Sequence, residues 1–168
     1  GMAGGEMAGR PADYAYSFDM AREAGIPLTC HAGEWGGPSM VAETIRHLGV
    51  TRIGHGIGAI DDRALLDEII EKEIVLEVCP GSNVVLKAVG GWDAHPIVKL
   101  RDAGVKVTVS TDDPPFFHTT MTAEYDMLNR TFGWGEDDFR AMNETALAAA
   151  FCDEDTRARV AKRLEPAQ

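Results

Sequence analysis

Short apolar runs alternate strictly with amphipathic helical patterns from the start of the chain to Asp112. Consecutive strands that are separated by a helix pair in parallel, because the helical crossover returns the chain to the same end of the sheet. The alternation therefore predicts an α/β fold built on a parallel sheet. Four complete strands are predicted, at residues 26–30, 51–54, 74–79 and 105–111.

The number of strands limits how much of a larger architecture the chain can form. The glycine-rich opening, residues 1–9, is interpreted as the tail of a further strand and its loop. Units of about 20 to 30 residues suit a (β/α)8 barrel, which usually takes about 250 residues. The 168 residues fall short of that length by roughly three units. We therefore expect one domain over residues 1–168, either an open α/β sheet or part of a barrel.

Helices are predicted between the strands and after the last of them. The pair Asp61-Asp62 is suited to begin a helix, since an aspartate oxygen accepts a backbone N–H at the N-cap. Gly49 and Gly104 are typical of helix ends. His95 is expected to have a structural role in the first turn of its helix. The predicted helical segments are residues 12–24, 39–48, 93–103, 120–132, 136–151 and 153–164, with one more around Leu65, Leu66, Ile69 and Ile70.

Histidine and carboxylate side chains follow three of the predicted strands where each strand ends. His31 and Glu34 follow the first, His55 follows the second, and Asp112 and Asp113 follow the fourth. Each of these residues alone is more often a cap, a turn former or a hydrogen-bonded histidine. Together they lie where α/β enzymes place their chemistry. Because imidazole and carboxylate both suit zinc, the pattern favours a hydrolytic metal site.

Composition excludes several classes of partner and site. The chain has 16 Lys and Arg against 27 Asp and Glu, a net charge of −11, so nucleic-acid polymers and anionic membrane surfaces would be repelled. Its 3 cysteines form no CxxC pair, which argues against a disulfide framework and favours a reducing cytoplasm. No apolar run approaches the roughly 18 residues of a membrane span, and the N-terminus lacks a signal-peptide pattern.

Five motifs together resemble one known family. The segments HAGEW, RIGHG, EVCPGSN, HPIVKL and STDDPPFF, the last followed by EYDML, are similar in order and spacing to those of the adenosine deaminase family of the amidohydrolase superfamily. The resemblance covers nearly the whole chain but corresponds only to the C-terminal half of such an enzyme. It implies the C-terminal part of a (β/α)8 TIM barrel, with extra helices at its C-terminus.

The resemblance also implies a role for each motif residue. One Zn²⁺ per complete active site activates the water that replaces the purine amino group. His31 and Asp112 would be zinc ligands, Glu34 the proton donor to purine N1, and His55 the group that orients the hydroxide. The remaining two are substrate contacts: Asp113 would face purine N7, and the backbone of Gly9 would face N3, although Gly9 reads equally well as a turn glycine.

One departure from the family pattern affects the metal site. The H-x-H pair that completes the family's zinc shell occurs nowhere in this sequence. We therefore expect the isolated chain to bind zinc weakly and to have little activity. Open strand edges would favour self-association or pairing with the missing N-terminal half.

Three functions are compatible with these residues. The first is deamination of adenosine, a small-molecule aminopurine substrate, to inosine and ammonia. The second keeps the chemistry and changes the substrate to adenine or another N6-aminopurine, because ribose contacts would lie mostly outside the matched half. The third is a catalytically inactive binding or assembly fragment.

Overall fold

The computed structural model describes residues 1–165 and is organised around a four-stranded parallel sheet. The strands lie side by side in chain order: β1 (Thr29–Ala32), β2 (Arg52–His55), β3 (Val75–Val78) and β4 (Lys106–Val109). In the register, His31 stands beside Gly54, and Gly54 beside Glu77. A single parallel bridge joins Met2 to Cys30 at the outer edge of β1. This bridge confirms that the chain opens beside the sheet, although only one residue pairs there.

Helices connect the strands and follow the last of them. Three helices begin with Asp or Thr N-caps, whose side chains accept backbone N–H groups: Asp62, Thr120 and Asp153 bond to Leu65, Ala123 and Thr156. None of the helices within residues 1–165 is long and apolar enough to cross a membrane. The helices are α1 (Ala15–Glu23), α2 (Gly37–Leu48), α3 (Arg63–Glu71), α4 (Pro80–Val85), α5 (Ile97–Asp102), α6 (Pro114–Phe117), α7 (Met121–Phe132), α8 (Glu136–Ala149) and α9 (Glu154–Leu164), with short 3₁₀ helices at Glu6–Ala8, Pro11–Tyr14 and Ile57–Asp61.

The two faces of the sheet differ in polarity because alternate side chains of a strand point to opposite faces. One face contributes Ile53, Leu76 and Val107 to the buried hydrophobic core. The other face is polar, and there Glu77 accepts a hydrogen bond from Thr29 at 3.2 Å and lies 3.3 Å from the Arg52 guanidinium. The polar face corresponds to the interior of a barrel, and the core lies between the sheet and its helices.

The helices differ from the sequence prediction in several places. The helix predicted at 93–103 begins only at Ile97, since a residue before proline is pushed away from helical angles and Pro96 occupies the N-cap. The segment after β3, which lies outside the predicted helical segments, forms α4 with Pro80 in its first turn. Proline is favoured at that position because its fixed φ suits a helix start. The chain also turns through 3₁₀ geometry at 11–14 before α1, and α8 ends at Ala149, two residues early.

Candidate active site

Three of the predicted site residues converge at the carboxyl ends of the strands. His55 ends β2, and its Nε2 lies 3.7 Å from Glu34 Oε2 and 3.9 Å from Asp112 Oδ2. Glu34 comes from the loop after β1, and Asp112 from the loop after β4. An imidazole and two carboxylates thus meet at one sheet edge, as the strand-end pattern predicts.

The backbone at two of these positions is in the left-handed region. His55 has φ of +62° and Asp112 has φ of +58°, which non-glycine residues adopt rarely and mostly where surrounding structure enforces it. His55 is the last residue of β2, and Asp112 lies three residues after the end of β4 at Val109. Such backbone geometry clusters at functional sites.

Helix α4 brings two further polar side chains to the same place. Ser82 donates a hydrogen bond to Asp112 Oδ2 at 2.7 Å. The neighbouring Asn83, which is completely buried, donates from Nδ2 to Glu34 Oε1 at 3.3 Å and contacts His55 Nδ1 at 3.2 Å. Consecutive residues of one short helix therefore hold the two carboxylates and the imidazole in place.

Two buried groups lie behind α4. His95 Nε2 is 3.2 Å from Asn83 Oδ1, and His95 Nδ1 accepts the Ile97 amide at 3.1 Å. On the other side, the buried Glu124 of α7 accepts the Gly81 amide at 2.9 Å and the Thr119 hydroxyl at 2.7 Å. A Cβ at Gly81 would collide with the Glu124 carboxylate, so this glycine permits the close approach.

Glu6 anchors the loop that carries Glu34. Its carboxylate accepts the backbone amides of Gly33, of Trp35 at 2.6 Å and of Gly36 at 3.0 Å. Three backbone donors on one carboxylate hold the loop in a single conformation, because hydrogen bonds to a charged acceptor are strong. Glu6 is therefore a structural part of the site.

The other predicted residues lie around this centre. The His31 ring stands 5.1 Å from the His55 ring, nearly perpendicular to it. A Cβ on the neighbouring Gly54 would overlap His31, so the glycine makes room for this imidazole on the polar face. Gly9 and His31 line one cavity of about 170 Å³. Asp113 is exposed beside Asp112 and does not join the central cluster.

The electrostatic environment separates the two central ionisable groups. Burial, followed by the negative charges of Asp112 and Glu6, raises the pKa of Glu34. Burial, followed by His31, lowers the pKa of His55. A partly buried carboxyl with a raised pKa beside an imidazole with a lowered pKa is the arrangement expected of a general acid and a hydrogen-bonding partner.

The donor set at the sheet edge fits a metal ion. His55, Cys79 and Asp112 place three ligand atoms within 4.8 Å of one another. Burial raises the pKa of the Cys79 thiol far above its ordinary value, and its Sγ donates a hydrogen bond to the backbone carbonyl of Glu77 at 3.6 Å. His31, in the space left by Gly54, provides an exposed imidazole 5.1 Å from the His55 ring. The candidate donors at this edge are therefore two imidazoles, a carboxylate and a thiol.

Sequence reasoning missed four residues of this site. No role is predicted from the sequence for Ser82, Asn83, Glu6 or Glu124. The GSN segment is the one available signal, because small polar residues directly after a strand end follow the same rule that identified His55. The expected structural role of His95 agrees with its burial and its two hydrogen bonds.

The burial of His95 predicts a loss of stability in acid. Burial lowers the pKa of His95 from 6.5 to about 4. Between these values the unfolded chain binds a proton that the folded chain excludes, so stability is complete above pH 6.5 and falls as pH approaches 4. At 1.36 kcal/mol per unit, the difference is worth roughly 3 kcal/mol. Urea unfolding at pH 7 and pH 4 measures the change.

The matched variant for this prediction is His95→Gln, which removes the titrating ring and keeps a side-chain N–H. Its unfolding free energy should lose roughly 3 kcal/mol less than that of the parent chain over the same pH interval. Equal losses in the two proteins would contradict the assignment to His95.

Comparison with known proteins shows the family of this chain. The family model described as adenosine deaminase matches residues 1–167 of the chain. The chain belongs to the adenosine deaminase family. This confirms the resemblance carried by the five motifs. Curated relatives of the chain include the adenine deaminases of Rhizobium rhizogenes and Agrobacterium fabrum, which are 51% and 49% identical to it over 163 residues.

Solved structures of family members support the same architecture. The crystal structure of adenine deaminase from Arthrobacter aurescens matches with a TM-score of 0.91 and 26% identity, over 96% of this chain and 50% of that protein. An amidohydrolase from Burkholderia ambifaria with bound zinc matches with a TM-score of 0.86 and 26% identity, over 96% of this chain and 46% of that protein. The predicted fold class, an α/β chain forming part of a (β/α)8 barrel, is confirmed.

This chain matches only part of each relative. The two alignments include 97% of this chain but only 51% and 50% of the two relatives' own lengths. The chain therefore spans about half the length of the curated family members it matches. Both relatives are named for adenine, whereas the first expectation from the sequence was adenosine.

Proposed function

We propose that this chain supplies half of the active site of a zinc-dependent deaminase that hydrolyses adenine to hypoxanthine and ammonia. The observation that carries the proposal is the convergence of Glu34 and Asp112 on His55, whose Nε2 lies 3.7 Å from Glu34 Oε2 and 3.9 Å from Asp112 Oδ2. The names and high identities of the adenine deaminase relatives favour adenine over adenosine. Adenine therefore replaces adenosine as the preferred substrate.

His31 and Asp112 are the residues that would hold the zinc ion. The imidazole of His31 lies on the polar face and the Asp112 carboxylate is held by Ser82. When bound, zinc lowers the pKa of water from 15.7 toward about 7 and so provides hydroxide at neutral pH. Structural and catalytic zinc sites take at least three protein ligands, so two ligands from this chain require others from a complementary segment.

The remaining residues act on the purine itself. As water adds to C6, the ring gains negative charge at N1, and Glu34 donates its proton there, while the Asp112 carboxylate takes the proton that water loses. His55, with Nε2 at 3.7 Å from Glu34 and 3.9 Å from Asp112, orients the attacking oxygen. As the C6–N bond breaks, the proton held by Asp112 passes to the amino nitrogen, which leaves as ammonia, and the C6 hydroxyl returns a proton to Glu34, so that C6 retains a carbonyl oxygen. Asp113 and the backbone of Gly9 are proposed contacts to N7 and N3 of the purine.

A fusion protein provides the direct test. The N-terminal half of the Rhizobium rhizogenes adenine deaminase, joined to this chain, restores a full-length enzyme of the kind the chain matches. The fusion should release ammonia from adenine and bind about one zinc per molecule, whereas each half alone should show little turnover. Ammonia release is measured on adenine and adenosine in parallel.

The outcomes distinguish the candidate functions. Faster turnover of adenine supports the proposal, and faster turnover of adenosine restores the first expectation. A folded, zinc-loaded fusion that deaminates neither purine contradicts both and leaves the inactive binding or assembly fragment. The intact R. rhizogenes enzyme, which supplies the N-terminal half, is the positive control. It should release ammonia from adenine under the same assay conditions.

A further inference from the structure

We infer that Asn83 and His95 are positioning residues that hold His55 with its ring proton on Nε2, so that His55 donates a hydrogen bond into the site. The inference rests on the proposed function for its catalytic meaning. Its structural basis is a buried series of hydrogen bonds in which each group fixes the next.

The series begins at a group whose role is fixed. The backbone amide of Ile97 can only donate, and it lies 3.1 Å from His95 Nδ1. Nδ1 is therefore an acceptor, and the proton of the neutral His95 ring resides on Nε2. His95 is only 3% exposed, so water does not compete for either nitrogen.

His95 in turn fixes the orientation of the Asn83 amide. The His95 Nε2–H lies 3.2 Å from Asn83 Oδ1, and a donor at that position requires the amide oxygen to face it. The Asn83 amino group then faces the opposite direction. A flipped amide would place its N–H₂ against the His95 N–H and leave both donors unsatisfied in a fully buried place.

The Asn83 amino group has two hydrogens, and two acceptor atoms of neighbouring residues lie within hydrogen-bonding distance of it. Glu34 Oε1 lies 3.3 Å from Nδ2, and His55 Nδ1 lies 3.2 Å from it. Because Nδ1 of His55 accepts this bond, the proton of its neutral ring is on Nε2. The Ile97 amide thus determines the tautomer of His55 through His95 and Asn83.

The consequence concerns the direction of hydrogen bonding in the site. His55 Nε2–H faces the gap between Glu34 and Asp112, at 3.7 and 3.9 Å, which is too far for a direct hydrogen bond to either carboxylate. The proton points to the place where the attacking oxygen would lie. A nitrogen that already carries a proton cannot act as a general base, so His55 orients the oxygen and a carboxylate must accept its proton.

Nitrogen NMR of the histidine rings tests the inference without substrate. The full chain is labelled with ¹⁵N-histidine, and long-range ¹H–¹⁵N correlations identify which ring nitrogen of each of its 5 histidines is protonated. We expect His55 and His95 both to carry the proton on Nε2. Protonation of His55 at Nδ1 in the parent chain would overturn the inference.

Two variants test the relay itself. In Asn83→Asp, the new carboxylate cannot donate, so the His55 proton should move to Nδ1. In His95→Leu, the amide loses its orienting donor and His55 should show a mixture of tautomers, which His95→Gln should restore to Nε2–H by supplying an N–H donor. An unchanged His55 tautomer in both Asn83→Asp and His95→Leu would contradict the relay. Asn83→Asp alone decides the point if His95→Leu fails to fold.

The catalytic meaning is tested on the fusion protein. Asn83→Asp should lower kcat roughly 10- to 100-fold, the usual effect of losing an outer-shell partner, with a smaller change in KM. A kcat within twofold of the parent, in a variant whose His55 tautomer has moved, would overturn the assignment of a positioning role. If the parent fusion itself deaminates no purine, the proposed function fails, while the NMR result still decides the tautomer.

Discussion

Replacement of Glu34 by glutamine is expected to lower kcat for adenine deamination in the fusion protein by about 10²- to 10⁴-fold, the range typical of general acid–base groups. Glutamine has the same shape and still accepts the hydrogen bond that Asn83 donates to Glu34 Oε1. It cannot release a proton to purine N1. The variant therefore removes the acid and retains the position of the side chain.

The environment of Glu34 explains why the effect should be large at neutral pH. Its side chain is only 15% exposed, and burial together with the charges of Asp112 and Glu6 raises its pKa. A raised pKa keeps a larger fraction of the carboxyl protonated near pH 7. The neutral glutamine should also bind adenine about as well as the protonated acid, so KM should change much less than kcat.

Steady-state kinetics on adenine measures the effect, and Glu71→Gln is the matched control. Glu71 is exposed at the end of α3, away from the site, so the same change of charge there should leave kcat unaltered. A Glu34→Gln fusion that retains kcat within a few-fold of the parent would show that the proton reaches N1 from another group. Zinc content of the variant, measured on the same sample, excludes loss of the metal as the cause.

The residues that sequence reasoning found are those that geometry of parallel sheets places together. The carboxyl ends of parallel strands meet at one edge, so His31, His55 and Asp112 could be assigned to a common site from their positions after strands. Glu34 follows β1 by two residues and reaches the same edge. The alternation of strands and helices predicted the sheet for the same reason, since each crossover leaves few choices of topology.

The residues that it missed depend on tertiary contacts without a sequence period. Asn83 lies on a helix of six residues. Such a helix is too short to be predicted from a repeat of apolar residues. Glu6 accepts hydrogen bonds from three backbone amides of a loop 27 to 30 residues away. Backbone amides are present at nearly every residue, so the sequence does not indicate which of them Glu6 contacts. His95 was assigned a structural role correctly, but its connection to His55 through Asn83 exists only in three dimensions.

The choice between adenine and adenosine as substrate is not determined by the motif residues. The side chains proposed to act on the purine, Glu34, His55 and Asp113, would meet a ring that adenine and adenosine share. Contacts to ribose would discriminate the two substrates, and no residue of this chain is assigned to such a contact. The choice of adenine therefore depends on the similarity to named relatives and on no single residue of this chain.

Replacement of Asp112 by asparagine should remove zinc from the fusion protein and abolish deamination with it. Loss of an outer-shell partner typically costs 10- to 100-fold in metal affinity, and loss of a charged ligand should exceed that. Asparagine is the appropriate substitution because Asp112 has φ of +58°, a conformation that asparagine tolerates better than most residues. The Ser82 hydroxyl can still donate to the amide oxygen, as it does to Asp112 Oδ2 at 2.7 Å.

Two control variants separate the possible metal ligands and the substrate contact. Asp113→Asn makes the same change of charge one residue away, on a side chain exposed outside the cluster, so it should retain zinc and raise KM for adenine. Cys79→Ser should also retain zinc, because the proposed ligands are His31 and Asp112 and the Cys79 Sγ is hydrogen-bonded to the Glu77 carbonyl at 3.6 Å. Zinc stoichiometry by mass spectrometry, after dialysis against a weak chelator, measures all three variants. Zinc lost from Cys79→Ser and retained by Asp112→Asn would instead assign the metal to the cluster of His55 and Cys79, and would require a different set of catalytic roles.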